Sequence, residues 1–268
     1  MLKNLSDMNN FKHYLIEIYD YRHVLKLLVR QYLVLRYRRT ILGYLWTLVN
    51  PLLMMGVMAV VFSAVQKIDL KTFAIFLFAG MVPWACFNNM ITLSSNSLIV
   101  NESLIKKIYI PKVIFPLSVS IGVLIDSMFS FVSLLILIVV LGAEPLLVWL
   151  YIPFAFLLLF LFSFGVALIF SILTVFLRDL QYILGVVMQA LFFLSPVLYE
   201  KGLLKGDMAV IIALNPIVPF IELFRSVLND GKMPSIDIIQ SSLFLAVLSF
   251  VIGVIFFFLK QNRIIFRL

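Results

Sequence analysis

Apolar residues are grouped along this sequence into long uninterrupted runs, and this grouping predicts a series of membrane-spanning helices. A helix needs about 20 mostly apolar residues to cross about 30 Å of hydrocarbon. Six runs come close to that length or exceed it, and they cover residues 47–65, 72–93, 116–141, 146–177, 182–199 and 241–259. The fourth run is longer than one crossing needs, so we expect it to tilt or to extend beyond the bilayer. The pattern therefore predicts an all-α polytopic membrane protein with six transmembrane helices per subunit.

A seventh apolar stretch, residues 209–228, contains groups that a lipid-facing helix disfavours. Pro216 and Pro219 each remove a backbone hydrogen-bond donor, while Glu222 and Arg225 would bring charge into hydrocarbon. Irregular backbone is tolerated at membrane depth only where it is buried in protein or lines a water-filled cavity. We therefore predict that this stretch is a re-entrant helical hairpin after the fifth span.

The composition excludes a soluble globular protein. Of the 268 residues, 63% are hydrophobic and 13% are charged, whereas soluble domains have about 45–50% apolar and about 25% charged residues. The apolar excess must therefore face lipid. We predict a single transmembrane domain over residues 1–268. Its parts are a cytoplasmic N-terminus at 1–39, five spans at 40–199, an outer re-entrant segment at 200–239, the sixth span at 240–259 and a cytoplasmic tail at 260–268.

The lysines and arginines indicate the orientation of the spans. With six spans and a cytoplasmic N-terminus, 15 of the 21 basic residues lie inside and the other six lie outside, as the positive-inside rule requires. A seventh span would move the basic tail KQNRIIFRL to the outer side. We therefore predict cytoplasmic termini, and we expect no cleavable signal, so that the first span directs insertion.

An amphipathic helix is predicted before the first span. Two sets of residues lie on separate helical faces: Tyr21, Leu25, Leu28, Tyr32 and Leu35 on one, and Arg22, Lys26 and Arg30 on the other. This pattern is typical of a helix in the membrane interface whose basic groups face anionic headgroups. A soluble helix packed on a partner explains the same pattern. Arg36, Arg38, Arg39 and the aromatic Trp46 would mark the cytoplasmic boundary of the first span.

Residues 101–112, NESLIKKIYIPK, are predicted to form a compact element between the second and third spans. Asn101 is suited to cap a short helix, and Pro111 is suited to end it. The helix would present an apolar knob with adjacent lysines, formed by Leu104, Ile105 and Ile108 with Lys106 and Lys107. An exposed apolar knob in a polar loop indicates docking into another protein.

The fifth span contains a stripe of aromatic, small and polar residues. Alternating steps of three and four place its members on one helical face, and they are Tyr182, Gly185, Gln189, Phe192, Pro196 and Tyr199. Tyrosine hydroxyls and a glutamine amide avoid hydrocarbon, so this face is expected to meet protein or a cavity. The residues alone do not distinguish a helix packing seam from a transport conduit.

Asp126 is the only acidic residue well inside a predicted span. A carboxylate at this depth is a candidate for a functional site, such as a proton relay. A structural hydrogen bond with Ser127, Ser130 or a neighbouring helix is favoured over a relay, because no second buried acid or histidine lies near Asp126 in the sequence.

The sequence lacks the patterns of an enzyme site. It contains no GxxxxGK[ST] phosphate-binding loop, and both histidines, His13 and His23, precede the first span. No paired carboxylates suggest acid and base catalysis, and the single cysteine, Cys86, is interpreted as a packing residue. We therefore expect no catalytic residue, no metal site and no cofactor bound by this chain.

Several segments, taken in order, resemble the permease subunits of type-2 ABC exporters for polysaccharides such as O-antigen, capsule and teichoic acid. The resemblance covers almost the whole chain and rests on RYRRTILGYLWTLVNPLL, MVPWACFNN, NESLIKKIYIPKVIFPLS, TVFLRDLQYILGVVMQALFFLSPVLY and ALNPIVPFIELFRSVL. It implies a homodimer in the bacterial inner membrane, bound to two separate ATPase subunits that hold ATP and Mg. It further implies a lipid-linked glycan as substrate, contact with membrane lipid and no nucleic-acid partner.

The resemblance also implies roles for particular residues of this chain. Coupling to the ATPase would involve Glu102, Leu104, Ile105, Lys106, Lys107, Ile108, Tyr109 and Pro111. The translocation path would include Tyr182, Gln189, Phe192, Pro196, Tyr199, Trp84 and Phe87, and the outer gate would include Asn215, Pro216 and Pro219. An exporter of the same architecture that moves a drug or a small lipid remains the alternative. A membrane-embedded glycan-modifying enzyme and a purely structural subunit are disfavoured.

Overall fold

The computed structural model describes residues 16–38, 40–140, 147–203 and 206–267. These residues are helical or irregular, and no strand occurs among them. The helices are α1 (Arg22–Tyr37), α2 (Trp46–Gln66), α3 (Leu70–Ser95), α4 (Ser97–Val100), α5 (Glu102–Lys107), α6 (Ile114–Val140), α7 (Ile152–Phe176), α8 (Leu180–Leu194), α9 (Asp207–Leu214), α10 (Val218–Leu228) and α11 (Ile236–Lys260). Short 3-10 helices lie at Gly43–Leu45, Leu147–Tyr151, Lys201–Leu203 and Gln261–Phe266.

The predicted fold class is confirmed. In the described ranges, five helices are long and apolar enough to cross a membrane, and a sharply bent helix pair follows α8. The long helices α2, α3, α6 and α7 begin and end within a few residues of the first four predicted spans, apart from the first residues of the fourth, where a 3-10 helix precedes α7. α11 begins at Ile236, so the sixth span starts earlier than the predicted residue 240.

The predicted fifth span differs most from the structure. α8 has 15 residues and is therefore about 22 Å long, which is shorter than a typical hydrocarbon core. Residues after Leu194 leave the helix, and Ser195 is in an extended conformation. The prediction that Pro196 and Tyr199 continue the helical stripe of this span is therefore wrong.

The connection between α2 and α3 is built from local capping interactions. Lys67 ends α2 in the left-handed conformation with φ at 57°, and its backbone N–H donates to the carbonyl of Ser63. The Asp69 carboxylate accepts from the backbone N–H groups of Lys71 at 3.1 Å and Thr72 at 3.2 Å. These bonds satisfy backbone donors that a helix start leaves unpaired, so the chain reverses direction within a few residues.

α3 and α7 form the centre of the helical bundle and are buried over most of their length. The most extensive contact joins α7 to α11. A β-carbon at Gly253 would overlap the backbone of Gly165, and one at Gly165 would overlap the backbone of Ser249. The Ser249 hydroxyl donates to the carbonyl of Phe162 at 2.8 Å across the same contact. Small residues allow this close approach, which is typical of helix packing in membranes.

α2 and α8 lie at the edge of the bundle and are largely exposed. Both helices contact α3, and a small apolar cluster joins Ala59 of α2 to Phe73 and Leu77 of α3 and to Leu198 beyond α8. On α8, only Leu184 and Met188 are buried. Two apolar helices that contact α3 therefore present open faces.

The bent pair after α8 consists of α9 and α10, which meet at an angle of 89°. α10 is buried against α3, α7 and α11, while α9 buries only Ile212. Two apolar helices of 8 and 11 residues with a right-angled break cannot form one straight crossing. The predicted re-entrant hairpin agrees with this geometry.

Candidate functional site

Residues 97–112, here called the α4–α5 segment, connect α3 to α6. Asn101 occupies the N-cap position of α5, but its side chain donates backward to the carbonyl of Ser97 at 2.8 Å. Within α5, Lys106 donates to the Glu102 carboxylate at 2.6 Å, and this hydrogen bond lowers the pKa of Glu102. The helix ends at Lys107, so Pro111 does not itself terminate it.

The apolar surface of the α4–α5 segment differs from the predicted knob. Val100, Ile108 and Tyr109 are exposed, with 72%, 55% and 71% of their surface accessible. Leu104 and Ile105 are half-buried against the main core instead, so their predicted exposure is wrong. Exposed apolar side chains are therefore present, but they lie toward the two ends of the segment, with Val100 at one and Ile108 and Tyr109 at the other.

The remaining residues predicted to couple to an ATPase have different surroundings. Lys106 and Lys107 are exposed, Glu102 is half-buried, and Pro111 is buried. Pro111 and Ile110 lead directly into α6. Movement of the α4–α5 segment would therefore be transmitted to the start of α6 through a short buried connection.

Helix α1 and the stretch before it contact both the α4–α5 segment and α6. At one end, the Tyr21 hydroxyl donates to the carbonyl of Tyr109 at 3.1 Å. The pKa of the Tyr109 phenol is raised, mainly by a hydrogen bond with the Glu17 carboxylate and to a smaller extent by partial burial. Farther along α1, the Tyr32 ring occupies space that a β-carbon at Gly122 of α6 would need.

The faces of α1 agree in part with the predicted amphipathic pattern. Tyr21, Leu25, Leu28 and Tyr32 are partly buried against the core, and the basic residues Arg22, Lys26 and Arg30 are exposed. Leu35 is 53% exposed and departs from the predicted apolar face. α1 therefore packs along α6 with its basic side outward.

The structure brings Asp126 together with Arg36 and Trp46, which the sequence analysis placed at the boundary of the first span. Arg36 forms an ion pair with Asp126, and the Arg36 guanidinium also donates to the Tyr32 hydroxyl at 3.1 Å. A cavity of about 240 Å³ lies between α2, α3 and α6. Arg36 and Asp126 line it, together with Trp46 and Asn50. Arg38 is exposed, and Arg39 lies outside the described residues.

This ion pair explains why an acidic residue is acceptable inside α6. Asp126 is buried, whereas the Arg36 side chain is 36% exposed. The pair joins α1 to α6. On each helix it lies four residues beyond the contact of Tyr32 with Gly122. These two contacts fix the register of α1 on α6, and a structural partner for Asp126 is thereby identified.

We expect Arg36→Ala to destabilise the protein more than Asp126→Asn. The first change leaves a buried carboxylate without its cation, which costs about 3 kcal/mol, whereas the second leaves a cation that water still reaches. The melting temperature of the purified protein in detergent measures both effects. The double variant should resemble Asp126→Asn alone, and Arg38→Ala is the exposed control. Equal losses in the two single variants would contradict a stabilising pair.

The open face of α8 contains part of the predicted stripe. Tyr182, Gly185 and Gln189 are exposed, and Phe193 is 60% exposed. Phe192 is half-buried, so it lies at the border between the open face and the core. A tyrosine and a glutamine on an exposed membrane helix favour contact with protein or water over contact with lipid.

Trp84 and Phe87 lie inside the subunit, where they belong to a chain of aromatic rings. The ring centres of Trp84 and Phe192 are 5.6 Å apart, and those of Trp84 and Phe87 are 5.8 Å apart. Phe87 stacks on Phe162 at 5.5 Å, and Phe162 stacks on Phe220 at 4.7 Å. Trp84 and Phe87 therefore support α8 and α10 from within and are not exposed in this conformation.

The residues directly after α8 form a buried turn, and Asn215 bonds to its start. The Asn215 amide donates to the Ser195 hydroxyl at 2.9 Å and to the carbonyl of Leu194 at 3.3 Å. Its side-chain oxygen accepts from the backbone N–H of Ile217 at 3.2 Å. One buried amide therefore joins the end of α8 to the break between α9 and α10.

The other predicted gate residues lie near this junction. Pro216 is exposed, and Pro219 is half-buried within the first turn of α10. Pro196 is buried in the turn after α8, and the Tyr199 hydroxyl donates to the carbonyl of Phe193 at 3.0 Å. These prolines therefore surround the bend in the chain, where missing backbone donors cost least.

Arg225 is a buried residue for which the sequence analysis identified no partner. Its guanidinium donates to the carbonyl of Val197 at 2.8 Å and lies 3.7 Å from the centre of the Phe76 ring. Glu222 is 3.8 Å away, and the absent side chain of Gly80 leaves room for the guanidinium. The sequence contained one signal for this role, an arginine between the apolar residues of an amphipathic stretch. Arginine is rarely fully buried unless it is paired, so burial of that stretch implies partners for Arg225.

The chain belongs to the ABC-2 type transporter family, which matches residues 23–229. It is therefore a membrane permease subunit, and permeases of this family lack the ATPase domain and work with an ATPase partner. The family resemblance inferred from the sequence is confirmed.

Individual relatives extend the comparison. The chain is 31% identical over 205 residues to the O-antigen export system permease protein RfbA of Klebsiella pneumoniae, covering 75% of this chain and 78% of that protein. It is 30% identical over 225 residues to the protein of that name from Myxococcus xanthus, covering 82% and 86%. The polysialic acid transport protein KpsM of Escherichia coli is 25% identical over 205 residues, covering 73% and 77%.

Proposed function

We propose that this chain is the permease subunit of an ATP-driven exporter that moves a lipid-linked polysaccharide outward across the bacterial inner membrane. The similarity to O-antigen export permeases from two organisms, over 75% and 82% of this chain, carries the proposal. O-antigen and polysialic acid are both polymers of sugars, and this shared chemistry favours a glycan cargo over a drug or a small lipid.

The proposed assembly is a homodimer in which the open faces of α2 and α8 meet the second subunit. Both helices flank α3, and each is exposed along most of its length. Gln189 and Tyr182 on α8 are exposed polar groups on these faces. Such groups are costly in hydrocarbon, so a facing subunit or a hydrated path suits them better than lipid.

The proposed orientation places the α4–α5 segment and both termini in the cytoplasm. The distribution of the 21 basic residues supports this orientation through the positive-inside rule. The α4–α5 segment then lies on the side where ATP is available. The bend between α9 and α10 lies on the opposite side, where it would close the outer end of the path.

The proposed coupling begins with ATP binding, which closes the two ATPase subunits and pushes the α4–α5 segment. Ile110 and Pro111 connect this segment to α6, and α6 carries the ion pair of Asp126 with Arg36 at the end of α1. Residues 38–45 then lead from α1 into α2. A displacement of α6 would therefore move the start of α2, which borders the proposed path.

The aromatic groups on the proposed path suit a sugar polymer. Aromatic rings can stack on the apolar C–H faces of sugars without a fixed register, as they do on nucleic-acid bases. Tyr182 and Phe193 are exposed on α8, with 72% and 60% of their surface accessible. Weak, repeated contacts of this kind would let a long chain slide.

Deletion of the gene in its own bacterium tests this function. We expect lipid-linked glycan to accumulate inside the cell and surface glycan to fall at least tenfold, with recovery on complementation. Glycan is measured by gel analysis of surface and intracellular fractions. Unchanged surface glycan, together with increased sensitivity to drugs, would assign the chain to export of a small molecule instead.

A further inference from the structure

An apolar groove of about 490 Å³ lies between α6, α7 and α11, at the end of α6 that adjoins the α4–α5 segment. Its lining includes Leu117 of α6, Phe164 and Leu168 of α7, and Val254 and Phe257 of α11. The lining residues are aliphatic and aromatic, and the groove volume lies within the range of about 300–1,000 Å³ that ligand sites usually have. A groove of this kind between membrane helices is suited to a hydrocarbon chain.

A second, smaller pocket of about 160 Å³ adjoins one end of this groove. Val113 lines the groove, and the preceding residue, Lys112, lines the pocket. On α11, Phe257 lines the groove, and Gln261, one turn later, lines the pocket. Two separate elements therefore lead from an apolar space to a polar one in the same direction.

Lys112 supplies the charge in the smaller pocket. The side chain is half-buried, and among the described residues it has no acidic partner. Burial lowers the pKa of Lys112, which indicates that the ammonium group lacks full hydration. An anion at this position would stabilise the ammonium, as the usual carboxylate partner of a buried lysine does.

We propose that the groove and the pocket together bind one anionic phospholipid of the leaflet adjoining the α4–α5 segment, with an acyl chain between α6, α7 and α11 and the phosphate at Lys112. The site differs from the proposed transport path, because α7 and α11 line the groove whereas α2 and α8 present the open faces. Tyr109 and Ile108 also line the pocket. The bound lipid would therefore touch the α4–α5 segment.

A lipid fits these observations better than a protein segment does. The groove is formed by long apolar helices that cross the membrane, so its surroundings are hydrocarbon. The pocket lies where the helices end, at Lys112 before α6 and at Gln261 after α11. An apolar space at membrane depth with a cation at its boundary matches the two parts of a phospholipid, and lysine near a membrane surface favours anionic headgroups.

The test uses the full-length chain, purified in a mild detergent and freed of lipid. Phosphatidylglycerol and phosphatidylcholine with identical acyl chains are titrated, and native mass spectrometry counts the bound lipid. We expect the wild type to bind phosphatidylglycerol more tightly, and Lys112→Gln to weaken that binding about fivefold and the binding of phosphatidylcholine much less, because choline already balances the phosphate charge of the second lipid. Leu117→Trp fills the groove and should reduce the binding of both lipids.

Lys232→Gln is the matched control, because it removes the same charge from an exposed position near the opposite end of α11. It should retain the preference of the wild type. An unchanged preference in Lys112→Gln would overturn the proposal. Lipid binding that occurs only after removal of residues 1–15 would overturn it too, because it would assign the groove to that segment. Loss of the ATPase subunit from Lys112→Gln with normal lipid binding would assign Lys112 to a protein interface.

Discussion

Ile108→Asp is expected to remove the ATPase subunit from the purified permease. Ile108 is 55% exposed and forms an apolar patch with the adjacent Tyr109 at the end of the α4–α5 segment. A carboxylate at the centre of a buried apolar contact costs about 2–4 kcal/mol, as the strongest interface residues do. The affinity should therefore fall by about 30-fold or more. Co-purification of the ATPase with the tagged permease measures the effect.

The permease itself should fold normally in this variant, because the side chain at position 108 faces outward. Ser103→Asp is the matched control, since Ser103 is also exposed in the same segment but lies outside the apolar patch. It should retain the ATPase subunit. Full recovery of the complex with Ile108→Asp would contradict docking through this patch.

Gly185→Trp and Gly56→Trp are expected to block export while leaving the subunit folded. Apart from the helix's own backbone and the neighbouring residues, no atom lies within 4 Å of a β-carbon added at either glycine, so a larger side chain would start in open space. If the open faces of α8 and α2 meet the second subunit or the substrate, an indole there fills the path or separates the subunits. We expect surface glycan to fall at least tenfold, measured against equal amounts of permease in the membrane.

Ile255→Trp provides the comparison for these two variants. Ile255 is 54% exposed on α11, a long apolar helix whose open face is not part of the proposed path. An indole there should meet lipid and leave export unchanged. Normal export by both glycine variants would assign the faces of α2 and α8 to lipid instead.

Most of the spans could be predicted from the sequence because hydrocarbon thickness imposes a length on each apolar run. α8 was the exception. The run continues without charge to Tyr199, but the helix ends at Leu194 because the next residues bond to Asn215 and Arg225. Those partners lie 20 and 28 residues farther along the chain. Local apolar pattern carries no information on such a contact.

The contacts of the site were less predictable than its general location. The α4–α5 segment was recognised, but Leu104 and Ile105 pack against the core and leave Ile108 exposed. A short helix has apolar residues on several faces, and the tertiary contacts decide which face is covered. The pair of Arg36 with Asp126 joins residues 90 positions apart, and only the packing of α1 on α6 brings them together.

Phe192 belongs both to the core and to the border of the open face of α8. Its place in the stripe suggested direct contact with substrate, but its ring also packs against Trp84 at 5.6 Å. Phe192→Ala would therefore disturb the core as well as the open face. The glycines at positions 56 and 185 test the same faces without removing any contact within the subunit.

On the proposed function, this chain provides the membrane path for a lipid-linked glycan. Proteoliposomes that contain the permease and its ATPase subunit, with lipid-linked glycan in the bilayer, test it most directly. A membrane-impermeant lectin on the side opposite the ATPase detects glycan that has crossed. We predict that ATP makes the glycan accessible to the lectin, and that Ile108→Asp abolishes this. ATP hydrolysis by an intact complex without any newly accessible glycan would contradict the account.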